Sequence, residues 1–118
     1  MSDIVVVDDD RLMIQLIVSV LEDEGHVVRA AASGEAGLAE IARQRPDILV
    51  LDMKMPGMSG IEVARALRAG SETCALPIIA LSGSESAQEE AEALSAGCTV
   101  FVQKRDLSRL IKVAQDIL

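Results

Sequence analysis

The chain has 118 residues, half of them hydrophobic, with 11 Lys and Arg against 19 Asp and Glu and a net charge of −8. That length supports one domain around one core, and the acidic balance speaks against sequence-neutral binding of nucleic acid, which needs clustered cations. No apolar run approaches the ~18 residues of a membrane span, and Met1-Ser2-Asp3 leads into only Ile4 to Val7 before Asp8, Asp9 and Asp10, so neither a span nor a signal peptide is expected.

Five short apolar or β-branched runs follow one another: Ile4–Val7, Val27–Ala31, Ile48–Leu51, Ile78–Leu81 and Val100–Val102. They are mostly unalternated, as strands covered on both faces should be. Helical patterns fill the gaps. Leu12, Leu16 and Val20 with Met13, Ile17 and Leu21 form the first apolar stripe, ending at Gly25. Ala36, Ala39 and Ala42 with Leu38 and Ile41 form the second, stopped near Pro46. Ile61, Ala64 and Leu67 run to Gly70, and Ala87, Ala91 and Leu94 run to Gly97. Leu107, Leu110, Ile111, Ala114, Ile117 and Leu118 close the chain. Gly25, Gly70 and Gly97 stand where left-handed helix ends are wanted. Ser86 with Glu89 three positions on reads as a capping box. His26 reads as an exposed turn residue, Met53, Met55 and Met58 as loop packing, and Cys74 and Cys98 as two reduced thiols without metal-ligand spacing.

Strict alternation of strand and helix predicts an α/β fold: a five-stranded parallel sheet in the flavodoxin-like order 2-1-3-4-5, with five helices on both faces. Ligands of such sheets sit beyond the carboxyl ends of the strands. Asp8, Asp9 and Asp10 follow strand 1, Asp52 follows strand 3, Ser82 follows strand 4 and Lys104 follows strand 5. Strands 1 and 3 are neighbours in that order, so their carboxylates converge. One of Asp8 to Asp10 is free to cap the first helix. Carboxylates ~4 Å apart repel by ~4 kcal/mol at an effective dielectric of 20, which a proton or a cation relieves. Oxygen ligands without His or Cys favour Mg²⁺ or Mn²⁺. Together with a hydroxyl and an ammonium, this set suits phosphoryl transfer to a carboxylate. Glu85, Glu89, Glu90 and Glu92 read as a solvated face of helix 4, whose thin, mostly Ala stripe predicts the most loosely held helix.

These residues resemble, over the whole of 1–118, the receiver domain of bacterial two-component response regulators. Ile4-Val5-Val6-Val7-Asp8-Asp9-Asp10 matches the family's first strand and acidic pair, which implies that Asp8 and Asp9 bind metal. Leu51-Asp52-Met53-Lys54-Met55-Pro56-Gly57-Met58-Ser59-Gly60 resembles the phosphoacceptor segment, which implies phosphorylation of Asp52 and metal ligation by the Lys54 carbonyl. Ala80-Leu81-Ser82-Gly83 matches the strand 4 signature, with Ser82 as switch hydroxyl. Ala96-Gly97-Cys98-Thr99-Val100-Phe101-Val102-Gln103-Lys104 matches the last segment, with Phe101 as switch aromatic and Lys104 as phosphoryl-binding lysine. The resemblance implies that Lys54 and Ser84 tune the lifetime of the phosphoryl group. Two departures stand out. Arg105 occupies the position after the lysine where the family usually has proline, so a trans bond is expected there. Phe101 replaces the more usual Tyr and lacks its hydroxyl.

The function implied is a cytoplasmic phosphoacceptor switch, fed by a histidine kinase or phosphotransfer protein. It catalyses only its own phosphorylation and dephosphorylation. It reads out to a target protein or a second copy of itself through helix 4, strand 5 and helix 5, with no direct contact to nucleic acid or membrane. On phosphorylation Ser82 and Lys104 are expected to move toward the phosphoryl oxygens and vacate space for Phe101. The alternative is a pseudo-receiver, a protein-binding module of the same fold that works without phosphorylation. A haloacid-dehalogenase-type phosphatase is disfavoured because Asp52-Met53-Lys54 lacks the Asp-x-Asp spacing, and a flavodoxin because Phe101 is the one aromatic residue.

Overall fold

A computed structural model describes residues 2–118. The elements alternate as β1 (Asp3–Val7), α1 (Arg11–Asp23), β2 (Val27–Ala31), α2 (Gly34–Arg43), β3 (Ile48–Asp52), α3 (Gly60–Ala69), β4 (Ile78–Ser82), α4 (Ala87–Ser95), β5 (Val100–Gln103) and α5 (Leu107–Ile117). All neighbouring strands pair in parallel, in the order β2-β1-β3-β4-β5 that the alternation predicts. Residues of β1, β3 and β4 alternate between two cores. Val5, Val7, Leu49, Leu51, Ile78 and Ala80 face Ile41 of α2, Val63 and Leu67 of α3, and Ala93 of α4. Ile4, Val6, Ile48, Val50, Ile79 and Leu81 face Ile17 and Leu21 of α1 and Leu110 and Ala114 of α5. Each such Val, Ile or Leu side chain contributes roughly 1.5–3 kcal/mol by leaving water, and each alanine less. This double burial accounts for the unalternated sequence. Edge strand β2 is the exception, with Val27 exposed.

The helices bury narrower stripes than their sequences suggest. Leu12 and Leu16 of α1 are 72% and 53% exposed, while Ile17 and Leu21 carry the packing. In α2 the buried face is Gly34, Gly37 and Ile41, and the expected Ala36, Ala39 and Ala42 face solvent. In α4 the expected Ala87, Ala91 and Leu94 are all exposed, and Ala93 is the one buried residue of the helix. Alanine suits either side of a helix, so an alanine stripe does not say which face is covered.

Helix ends show further differences. Asp10 caps α1 by accepting from the amides of Leu12 and Met13. Gly25 and Gly97 have the expected positive φ, but Gly70 is extended at φ −85°. There the end of α3 is closed by Thr73, whose hydroxyl donates to the Leu67 carbonyl at 2.6 Å. A Cβ on Gly70 would come within 2.7 Å of that hydroxyl oxygen, so a side chain here would have to displace Thr73 from the helix end. The complete capping box lies on α3, between Ser59 and Glu62, and not on α4. His26 is half-buried rather than exposed, with Nδ1 unpartnered. Met53 and Met55 pack into the core as expected. The Lys104–Arg105 peptide is trans, and Arg105 pairs with Glu85 across the adjacent loops.

Candidate functional site

The strand registers bring the expected polar residues to one edge. Val7 lies opposite Leu51, so Asp8 and Asp52 emerge side by side, and Ser82 lies opposite Gln103, next to Lys104. One carboxylate oxygen from each of Asp8, Asp9 and Asp52 falls within 4.8 Å of the others. Asp8 and Asp52 are buried, and Asp9 is exposed. Local backbone fixes the two buried carboxylates. Asp8 Oδ1 accepts from the Asp10 amide at 2.9 Å, and Asp52 Oδ1 accepts from the Lys54 amide at 3.2 Å. Their Oδ2 atoms turn toward Lys104, whose Nζ lies 3.0 Å from Asp8 and 3.2 Å from Asp52. Neither Oδ2 receives a well-directed hydrogen bond. Lys104 is held in turn by its own amide, which donates to the Ser82 carbonyl at 2.8 Å.

The electrostatics follow from burial and crowding. Desolvation, followed by repulsion from Asp8, pushes Asp52 up to about 6, against the opposing pull of Lys104. Burial disfavours the charge on Lys104, but its bond to Asp8 and the attraction of Asp52 and Asp8 outweigh this, and its pKa is raised. Two buried carboxylates share a single ammonium, and Asp9 adds a third carboxylate beside them. Two buried oxygens without directed bonds, in a set of hard oxygen donors, fit a divalent cation such as Mg²⁺. A cation held there, together with Lys104, would supply the positive charge that a phosphoryl group at this edge requires.

The family model of the response regulator receiver domain matches residues 4–115. The chain belongs to this family. It is a receiver domain of two-component signalling systems. It is 35% identical over 101 residues to the probable transcriptional regulatory protein TcrX of Mycobacterium tuberculosis, covering 86% of this chain and 42% of that protein. It is 38% identical over 110 residues to the transcriptional regulatory protein AfsQ1 of Streptomyces coelicolor, covering 93% of this chain and 47% of that one. The receiver thus spans less than half the length of these relatives. Among solved structures, chemotaxis protein CheY4 of Vibrio cholerae superposes with a TM-score of 0.93 at 31% identity, covering 100% of this chain and 99% of that one. A putative response regulator of Chloroflexus aurantiacus gives 0.94 at 29%, covering 98% and 96%.

Beside the acidic cluster, the receiver carries a second polar network. Ser82 is buried and donates its hydroxyl to Glu89 Oε2 at 3.2 Å, while accepting from the Ser84 amide at 3.0 Å. Lys54 Nζ lies 2.5 Å from Glu89 Oε1. The Lys54 bond, with a further contribution from Ser84, holds the Glu89 carboxyl below its ordinary range. Phe101 is only 6% exposed and shares a core with Ala93 and Ala96. Phe101 is thus packed inside in this conformation, while Ser82 still holds its place beside Glu89. No helix among the described residues is long and apolar enough to cross a membrane.

Sequence reasoning missed two groups. Glu89 reads as a cap or a solvated acid, because its partner Lys54 comes from a distant loop. Leu12 and Leu16 read as core, yet they form an exposed apolar strip on the helix that begins directly after the acidic run. The mismatch between hydropathy and Ile17 and Leu21 as the buried pair is visible only once the sheet is placed.

Proposed function

We propose that this receiver accepts a phosphoryl group on Asp52 from a histidine kinase or phosphotransfer protein. The observation that carries the reading is Asp52 Oδ2, 3.2 Å from Lys104 Nζ within the carboxylate cluster of Asp8 and Asp9. A carboxylate oxygen of Asp52 attacks phosphorus, the donor's P–N bond breaks, and the imidazole leaves with the electron pair and takes a proton from solvent. Lys104 meets one phosphoryl oxygen with its ammonium, and Ser82 meets another with its hydroxyl. Such fixed donors stabilise charge as it develops at the phosphoryl group. Asp8, Asp9, Asp52 and the Lys54 carbonyl would hold Mg²⁺ or Mn²⁺, which supplies further positive charge to the phosphoryl oxygens when bound. Lys54 and Ser84 flank the site and set the lifetime of the acyl phosphate. The only reactions catalysed are the receiver's own phosphorylation and dephosphorylation.

The donor docks against α1, the helix that follows the acidic run, where Leu12 and Leu16 offer exposed apolar surface. Output runs through α4, β5 and α5 to a target protein or a second copy of the chain in the cytoplasm, without direct contact to nucleic acid or membrane. The support is the acidic, lightly anchored α4 next to Ser82. Incubation with Mg²⁺ and acetyl phosphate, followed by intact-mass measurement, tests the core of the reading. One phosphate should appear on the wild type and none on Asp52→Asn. Equal labelling of the Asn variant would remove Asp52 as acceptor.

A further inference from the structure

Glu89 sits three positions after Ser86 and matches the capping-box pattern, but only half the box forms. The Ser86 hydroxyl accepts from the Glu89 amide at 3.3 Å. The return bond is missing, and the Ser86 amide donates instead to the Ser84 hydroxyl at 3.0 Å. The Glu89 carboxylate leaves the cap and reaches inward. One of its oxygens takes the Ser82 hydroxyl, and the other takes the Lys54 ammonium. On α3 the same pattern closes completely, with Glu62 returning to the Ser59 amide. The neighbouring Glu85, Glu90 and Glu92 are all exposed, whereas Glu89 is half-buried.

A serine hydroxyl has one proton to donate. That of Ser82 is committed to Glu89, so it is unavailable to a phosphoryl oxygen until this bond breaks. We propose that Glu89 is a latch on the unphosphorylated receiver: its carboxylate holds Ser82 and Lys54 together, and a phosphoryl group on Asp52 must take both from it. The proposal rests on Asp52 being the phosphoacceptor and adds a positioning residue to that reaction. The competition favours the phosphoryl group, which carries about −1.5 to −2 charge and three acceptor oxygens against one negative charge on Glu89. Losing both partners leaves Glu89 facing a larger negative charge, and repulsion drives the first turn of α4 outward. Hydrogen bonds link Ser82, Ser84, Ser86 and Glu89 in series, so the element that release of Glu89 frees is the loop from Ser82 to Ser86 with the start of α4. The latch thereby couples occupancy of the site to the position of α4 through contacts that differ between the two states.

The test is the rate of phosphorylation by subsaturating acetyl phosphate, read by intact mass, for wild type, Glu89→Ala, Glu89→Gln and Glu90→Ala. Releasing the latch should speed Glu89→Ala by about two- to tenfold, the range that one net hydrogen bond supplies. Glu89→Gln keeps an acceptor for Ser82 but loses the charge that holds Lys54, and should fall between. Glu90→Ala, one position along and exposed, should match the wild type. In a Ser82→Ala background the effect of Glu89→Ala should shrink, a coupling that a general loosening of α4 would not produce. Amide spectra of the unphosphorylated Glu89→Ala variant should shift at Ser82 and Ser84 toward their phosphorylated positions. Wild type that takes no phosphate would overturn the phosphoacceptor reading and the latch with it. Normal phosphorylation at the same rate in Glu89→Ala, or an undiminished effect without Ser82, would overturn the latch alone.

Discussion

Lys104 bridges Asp8 and Asp52, its Nζ 3.0 Å from one carboxylate and 3.2 Å from the other. One ammonium from the end of β5 thus compensates acids from the ends of β1 and β3, and it does so incompletely. Burial and Asp8 still leave Asp52 at about 6, above its ordinary 3.8.

That imbalance predicts a pH dependence. A carboxyl whose folded pKa is raised binds its proton more tightly in the folded state than in the unfolded chain. Its favourable contribution is complete below about 3.8 and is lost as pH rises through about 6. In metal-free buffer the difference in unfolding free energy between Asp52→Asn and wild type should grow over that window. Above it the variant should be the more stable by at most about 3 kcal/mol. Urea denaturation of both proteins at pH 4, 5, 6 and 7 measures it. A difference that stays flat with pH would show that Asp52 ionises without strain.

A divalent cation should relieve the same repulsion. Mg²⁺ that binds only the folded cluster stabilises by mass action, about 2.7 kcal/mol at a hundredfold excess over its dissociation constant. Melting temperature should therefore rise with Mg²⁺ in the wild type and rise much less in Asp8→Ala/Asp9→Ala. An equal rise in both would place the bound ion elsewhere.

The convergence of the candidate site residues is legible in the sequence because each follows an apolar run that forms a strand. Strands β1, β3 and β4 are apolar on both faces, so Asp8, Asp52 and Ser82 stand out as buried polar groups at their carboxyl ends. The helix faces were far less legible. Leu12 and Leu16 have the hydropathy of core residues, and nothing local says that α5 and the sheet meet α1 through Ile17 and Leu21 instead. Glu89 was hidden for a related reason. Its local pattern is satisfied by Ser86, and the residues that capture its carboxylate, Ser82 and Lys54, are brought there by the sheet.

The exposed leucines yield a prediction that separates docking from chemistry. Leu12→Ser/Leu16→Ser removes mostly exposed apolar surface, so stability should change by no more than about 1 kcal/mol for the pair. Phosphorylation by acetyl phosphate should be unaffected. Transfer from a phosphorylated histidine kinase that labels the wild type should slow by tenfold or more. Equal slowing with both donors would mean that the substitutions disturb Asp52 itself.

Gly97 and Gly25 allow backbone strain to be separated from crowding. Both have positive φ, +109° and +93°. A Cβ at Gly25 meets nothing within 4 Å, whereas one at Gly97 would lie 2.5 Å from Cγ of Arg68. That arginine cannot simply withdraw, since its Nε donates to the Gly97 carbonyl at 2.9 Å and its guanidinium also reaches the Thr73 carbonyl. Gly25→Ala should cost about 1–2 kcal/mol from backbone strain alone. Gly97→Ala should cost more, by ~1–3 kcal/mol for overpacking, and also perturb the loop before β5. Thermal or urea unfolding gives the two values. A smaller loss at Gly97 than at Gly25 would contradict the packing assigned to Arg68.

The α4 face should recognise its partner through charge. Glu90 and Glu92 are exposed on a helix whose one buried residue is Ala93, so substitutions there leave the fold intact. Glu89 is excluded from this set because its carboxylate is turned to Ser82 and Lys54. A helix anchored this lightly is the element that phosphorylation can most easily reposition. An acidic surface steers and orients a partner carrying Lys or Arg, and the attraction is screened as the Debye length falls from ~10 Å at 0.1 M salt to ~3 Å at 1 M. Phosphorylated wild type should therefore associate more strongly than phosphorylated Glu90→Lys/Glu92→Lys at low salt, and the gap should close at high salt. Sedimentation of the phosphorylated receiver alone reports pairing with a second copy, and a pull-down compares recovery of any other target by the two proteins. Equal association of wild type and variant at both salt concentrations would take α4 out of the interface.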